Sequence, residues 1–251
     1  MAFHEALIDA AGDFDVARGL LSIQDWRRLR RWYRLHGRHY LPWRQGAQPW
    51  GILLAETLLR RTRAEIAARV YRQTLTVFRC PADVLAKPER WRLLTRPLGL
   101  AWRAETFLDA CEILVRKHGG HVPATEANLL ELPGVGHYVA GAVRCFGFAE
   151  RTVLTDTNTI RLAARISGKT LDPARHRTTD VQLTVARLGP AGKPATASDN
   201  FALFDLAATV CRPVRPRCDV CPIATGCSTG KAWLCGRNNV GARLRSSKPG
   251  G

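Results

Sequence analysis

Four cysteines fall within seventeen residues, in CRPVRPRCDVCPIATGC, spaced Cys211-x6-Cys218-x2-Cys221-x5-Cys227. Four thiolates suit a four-iron–four-sulfur cluster or a single tetrahedral zinc ion. Zinc ribbons ordinarily use two CxxC knuckles a dozen or more residues apart. This run has one CxxC and close outer cysteines, which predicts a compact loop around a cluster. A disulfide framework is the weaker reading: the N-terminus, MAFHEALIDAAGDFD, lacks the basic and apolar regions of a secretory signal, so a reducing cytoplasmic setting is expected. Cys80, Cys111 and Cys145 read as small core residues, and Cys235 falls near the C-terminus.

Two carboxylates stand in settings that can do chemistry. In RTVLTDTNTIRLAARISG, polar residues follow Val153 and Leu154, and Ile160, Leu162, Ala163 and Ile166 then take up a helical period. Asp156 therefore begins a helix, where it can cap orphan N–H groups. The helix N-terminus and a donor such as Asn158 would keep it ionised. An anion held there can stabilise an oxocarbenium-like sugar or orient an attacking water. Glu56 lies inside the apolar run ILLAETLL. There it either faces solvent or is desolvated, with a raised pKa that lets it donate a proton.

These groups need elements to hold them. In TEANLLELPGVGHYVAGAVRCFGF, Leu129, Leu130 and Leu132 end one helix, while Val139, Ala142, Val143 and Phe146 recur in a second. Pro133 stops the first, and Gly134 and Gly136 permit a tight turn with φ above zero. Backbone N–H groups at the start of the second helix then offer a grip on an anion that needs no side chain. Upstream, QDWRRLRRWYRLHGRHY reads as an arginine-laden helix with Trp26, Leu29 and Tyr33 as its buried stripe.

Composition bounds what such a chain handles. Its 251 residues are 46% hydrophobic and 24% charged, so a folded chain is expected. The net charge is +17, and +12 remains when the last 22 residues, from Gly230, are set aside. A body this basic points to a polyanion. No apolar run approaches the length of a membrane span, and no membrane partner is expected.

The cysteine spacing, LPGVG and the helix-initiating Asp156 together resemble one family, the helix-hairpin-helix DNA glycosylases with an iron–sulfur loop, the group of endonuclease III and the adenine glycosylases. The resemblance runs from about Ser22 to Cys227, over four fifths of the chain. It implies an all-α fold in two parts with the active site in the cleft between them. The parts are a six-helix barrel over 41–150 and an iron–sulfur cluster domain of 23–40 plus 151–229. Residues 1–22 would be an N-terminal extension and 230–251 a basic flexible tail. It further implies a 4Fe–4S cluster on the four cysteines, with Arg212, Arg215 and Arg217 of the loop facing a phosphate backbone.

In the family the catalytic Asp lies eighteen residues after a key hairpin position, the separation of Tyr138 and Asp156. Strand-cleaving relatives have Lys at that position; a phenol forms no Schiff base, so a monofunctional enzyme is expected. The resemblance makes Asp156 catalytic, Glu56 a general acid or an orienting group, and Tyr138 part of the base pocket. Trp43, Arg44 and Asn158 also adjoin that pocket. The duplex would be gripped by Leu132, Gly134, Val135, Gly136 and His137, while Arg60 and Arg61 stand where relatives fill the gap left by an extruded base. The Arg-Arg pair resembles the archaeal-type mismatch thymine glycosylases. Phe201 stands where adenine glycosylases place Glu or Gln to hold the purine, and the chain continues only about two dozen residues past Cys227, too few for their 8-oxoguanine-reading domain.

The function implied is base excision repair of thymine or uracil opposite guanine. The partner is double-stranded DNA, the protein is expected to be a monomer, and its place is cytoplasmic, at the nucleoid. An adenine glycosylase without its sensor domain is the second reading. A non-catalytic iron–sulfur DNA-binding or redox-sensing protein is the third.

Overall fold

The computed structural model describes residues 19–99 and 101–236, and among them there is no β-strand. The expected all-α architecture is borne out. Of the expected extension over 1–22 and tail over 230–251, residues 1–18 and 237–251 lie outside the described residues, and 228–236 are helical rather than part of a flexible tail. No described helix is long and apolar enough to cross a membrane. The chain divides into two compact units. One is Arg38–Glu150, here the hairpin unit; the other joins the residues up to Gly37 with those from Arg151 onward, here the thiol unit. The first boundary thus falls after Gly37 rather than at the expected 40/41.

Helix α1 (Ile23–His36) starts at a capping box in which Ser22 and Asp25 satisfy each other's backbone N–H groups, and it stops at Gly37. Trp26, Leu29 and Tyr33 are its buried stripe, as their spacing predicts.

The hairpin unit contains α2 (Pro49–Leu59), α3 (Ala64–Val77), α4 (Pro81–Ala86), α5 (Pro88–Thr95), α6 (Ala101–His118), α7 (Glu126–Leu130) and α8 (His137–Ala142). Proline opens α2, α4 and α5, where a missing N–H costs nothing. Apolar on nearly every side, α2 runs through the core and buries Ile52, Leu53, Leu54, Ala55 and Leu58. Each such leucine contributes about 1.5–3 kcal/mol. Tyr71, Phe78, Trp91 and Phe107 complete this core, with the Trp91 and Phe107 rings 4.7 Å apart.

In the thiol unit, α1 packs with α9 (Thr157–Ser167), α10 (Thr179–Ala186) and α11 (Ala197–Asp205). The core gathers Leu29 and Trp26 with Ile160, Leu162, Ile166, Val185, Leu203 and Leu206. A forked ion pair ties α1 to α11: Arg30 Nε lies 2.8 Å from Asp199 Oδ1 and Nη2 lies 3.1 Å from Oδ2. Two helices end in wider π turns, Val143–Gly147 after α8 and Leu206–Val210 after α11. Such turns recur beside functional residues, and the second delivers the chain to Cys211.

Candidate functional site

Asp156 is the N-cap of α9, in extended backbone. Its Oδ1 accepts the Asn158 and Thr159 backbone N–H groups at 2.9 and 2.8 Å, and Thr159 Oγ1 returns the cap by accepting the Asp156 N–H. Oδ2 accepts the Asn158 Nδ2 amide at 2.6 Å. The carboxylate is half-buried and fixed by donors at both oxygens. The segment leading to it is pinned by fully buried Asn200, which accepts the Leu154 N–H and donates to the Thr152 carbonyl.

The support reaches further. Arg161 Nη2 donates to Asn158 Oδ1 at 3.1 Å and to the Ala207 carbonyl at 3.0 Å, and its Nε donates to the Cys211 carbonyl at 3.1 Å. One guanidinium therefore joins the amide holding Asp156, the start of the π turn and the first cysteine of the loop. Burial holds its pKa below the usual arginine range.

Cys211, Cys218, Cys221 and Cys227 line one recess with Leu162, Arg165 and Ile223. Arg165 Nη1 donates to Cys211 Sγ at 3.3 Å and also holds the Cys211 and Arg212 carbonyls. Burial, reinforced by the neighbouring cysteines, raises the Cys221 thiol to about 12 and pushes Cys218 and Cys227 upward. Four sulfurs crowded in a low-dielectric space call for a cationic centre to become thiolates. Among the described residues no three His, Cys, Asp or Glu groups converge on a single ion position. The donor set, four thiols lining one recess with a hydrogen bond to one sulfur, fits a multi-iron cluster.

In the hairpin unit, Gly134 adopts φ 79, as expected of the turn. A Cβ there would meet Thr106 Cγ2 at 2.8 Å and Arg60 Nη1 at 3.2 Å, so conformation and space both require glycine. Gly136 departs from expectation: its φ is −100, an extended N-cap that opens α8 at His137. The first hairpin helix also ends earlier than expected, at Leu130, because Leu132 turns into the core and the turn bond runs from the Val135 N–H to the Leu132 carbonyl. Leu132 is 1% exposed, so its side chain anchors the hairpin and contacts no ligand. Exposed His137 lies 3.0 Å from Glu126, which also accepts from Arg144, bracing α7 against α8.

Glu56 and Arg60 line a recess together with Arg103, Pro133, Gly134 and Val135. After α2 the chain makes a turn of type II geometry: Arg60 has φ −57 and ψ 114, Arg61 has φ 51, and the Thr62 N–H reaches the Leu59 carbonyl at 3.0 Å. That turn favours glycine at its third position. A left-handed arginine there costs about 1–2 kcal/mol. Arg61 is exposed, and the Arg60 guanidinium stacks over Trp102, 5.1 Å from the ring centre.

Trp43, Arg44 and Tyr138 lie outside the lining of that recess. Trp43 is 7% exposed and packs edge-on to Tyr71, Arg44 is half-buried at the end of a short 3-10 turn, and Tyr138 is half-buried on α8. Phe201 packs against the thiol-unit core. Asn200, Arg103 and Arg161 escaped the sequence reading. Only the buried Asn200 left a trace, as a lone amide heading the apolar run NFALF.

Residues 117–146 match the helix-hairpin-helix motif family. The chain is 35% identical over 204 residues to the thymine-DNA glycosylase of Aeropyrum pernix, covering 80% of this chain and 92% of that protein. It is 31% identical over 193 residues to the thymine/uracil-DNA glycosylase of Methanothermobacter thermautotrophicus, covering 76% and 86%. A solved thermostable thymine-DNA glycosylase superposes with a TM-score of 0.74 at 28% identity, over 82% of this chain and 95% of that one. With its hairpin at Gly134 and its capped Asp156, the chain belongs to the helix-hairpin-helix DNA glycosylases, enzymes that hydrolyse N-glycosyl bonds in DNA.

Proposed function

We propose that this glycosylase removes thymine or uracil mispaired with guanine from double-stranded DNA and leaves an abasic site. The observation that carries the reading is the double restraint of Asp156, one oxygen held by the helix cap and the other by the Asn158 amide. A carboxylate so fixed suits an oxocarbenium ion: it is preorganised and does not reorient as charge develops. The C1′–N1 bond breaks with its electron pair leaving on the base; Asp156 stabilises the sugar cation; water adds to C1′ and loses a proton. Glu56 orients the base or a water, since a pyrimidine anion needs less protonation than a leaving adenine. Relatives named for thymine and for thymine/uracil support the base class, as does Phe201, whose ring offers no polar partner to a purine edge.

Tyr138 supplies no amine, so the reaction stops at the abasic site. The hairpin and the cysteine loop hold the backbone while Arg61 enters the vacated position. The four thiols are the proposed ligands of a 4Fe–4S cluster that braces the loop carrying Arg212, Arg215 and Arg217, and a monomer carries the whole activity. Incubation with duplexes containing T·G, U·G, A·G and A opposite 8-oxoguanine, followed by alkali, tests the reading. Cleavage confined to the two pyrimidine mispairs is expected; cleavage at adenine would favour the adenine reading, and binding without cleavage a non-catalytic protein. Asp156→Asn should lower single-turnover excision by about 10²–10⁴-fold while DNA affinity holds. Iron analysis and visible absorption distinguish a cluster from zinc.

A further inference from the structure

Arg103 on α6 is buried at 2% exposure, and among the described residues no carboxylate pairs with it. Its Nη1 donates to the Leu58 carbonyl at 2.9 Å, the Thr57 carbonyl at 3.4 Å and Thr62 Oγ1 at 3.2 Å. Its Nε and Nη2 are buried with no hydrogen-bond partner. A buried guanidinium bonded through one nitrogen is an expensive way to fill space, and an apolar side chain would serve packing better. The positive charge of Arg60 nearby adds to the cost.

Its placement gives the charge a use. The acceptors are carbonyls at the C-terminal end of α2, where the helix dipole favours a cation, and the hydroxyl of the residue that closes the next turn. Thr62 Oγ1 in turn donates to the Arg60 carbonyl at 3.2 Å. These bonds bracket Arg61 on both sides, and Arg61 holds a left-handed conformation that an arginine does not adopt unaided.

We propose that Arg103 is a positioning residue for Arg61: by clamping the end of α2 and Thr62 it holds the left-handed turn that presents Arg61 to the gap left by an extruded base. The inference rests on the glycosylase reading above, and its test does not require bond cleavage. A duplex carrying 2′-fluorothymidine opposite guanine resists hydrolysis, and an adjacent 2-aminopurine brightens when the thymine leaves the stack. Wild type, Arg61→Ala, Arg103→Met and the double variant are compared in that signal and, on unmodified T·G duplex, in single-turnover excision.

Arg61→Ala and Arg103→Met should each abolish most of the fluorescence rise and slow excision at least tenfold. The double variant should match Arg61→Ala within twofold, because Arg103 acts through Arg61. Arg103→Lys, which can still reach one carbonyl, should recover part of the signal. A normal fluorescence rise in Arg103→Met, or losses that multiply in the double variant, would overturn the proposal; multiplying losses are what a merely structural role predicts. Should Arg103→Met fail to fold, Thr62→Val removes one bracket of the same clamp and enters the same comparison. A wild type that extrudes thymine without excising it refutes the glycosylase reading alone and leaves the fluorescence cycle to decide Arg103.

Discussion

In the reaction proposed above, Asp156 and Tyr138 have separate roles. Asp156, held at both oxygens, can stabilise a cation at C1′ without moving. Tyr138, half-buried at the start of α8, has no nitrogen with which to capture a sugar carbon. Replacing that phenol by an amine should therefore convert the outcome rather than only weaken it. In Tyr138→Lys, Nζ attacks C1′ of the abasic product, a Schiff base forms with loss of water, and strand scission follows by elimination. The expected result is a protein–DNA adduct trapped by borohydride, absent from wild type, with breaks appearing before any alkali treatment. Adduct-free Tyr138→Lys that still releases thymine would show that position 138 lies away from the sugar. Residue types and spacing were enough to place Asp156 at a helix start, because a cap is local, whereas position 138 was singled out only through the family resemblance. Arg161 was not legible in the same way: its bond to Cys211 spans 50 residues, and nothing in TNTIRLAAR announces a partner so distant.

At the scale of elements, the hairpin and the α2 terminus meet where Gly134 lies against Thr106 and Arg60. Gly134→Ala must either abandon φ 79 or displace the Thr106 methyl, which would sit 2.8 Å from the new Cβ. Conformation alone costs about 1–2 kcal/mol. For a chain of this size each kcal/mol lowers Tm by about 2–4 °C, and the displaced turn should weaken duplex binding more than it weakens the core. Calorimetry and a DNA titration on the same variant separate the two. An unchanged affinity would show that the hairpin turn is not part of the grip. Periodicity read the stripe of α1 and the existence of both hairpin helices correctly, since burial of one face repeats every three or four residues. It misplaced the details that depend on a third element. Leu132 continues the apolar pattern of α7 yet belongs to the turn, and Gly136 looks like a second positive-φ glycine yet serves as an extended N-cap.

Over the whole molecule, a net charge of +17 favours a polyanion but works against compactness by self-repulsion, so the few buried carboxylates matter to stability. Asp199 is the clearest. Burial alone would raise its pKa, but the Arg30 fork and the Thr196 backbone and hydroxyl outweigh it and hold the carboxyl below the ordinary aspartate value of 3.8. The folded thiol unit therefore binds this proton less readily than the unfolded chain does. For such a group the stabilisation is present in full above the unfolded pKa and is lost as pH falls through the folded one. Arg30 is half exposed, which limits the Coulombic share to that of a partly screened pair. Against Asp199→Asn, wild type should keep a constant Tm advantage from neutrality down to about pH 5. The advantage should shrink as pH drops below about 4, where wild type takes up the proton that the amide variant never binds. An advantage that instead grew in acid would mean that folding raises the Asp199 pKa above its unfolded value, so that the Arg30 fork does not outweigh burial.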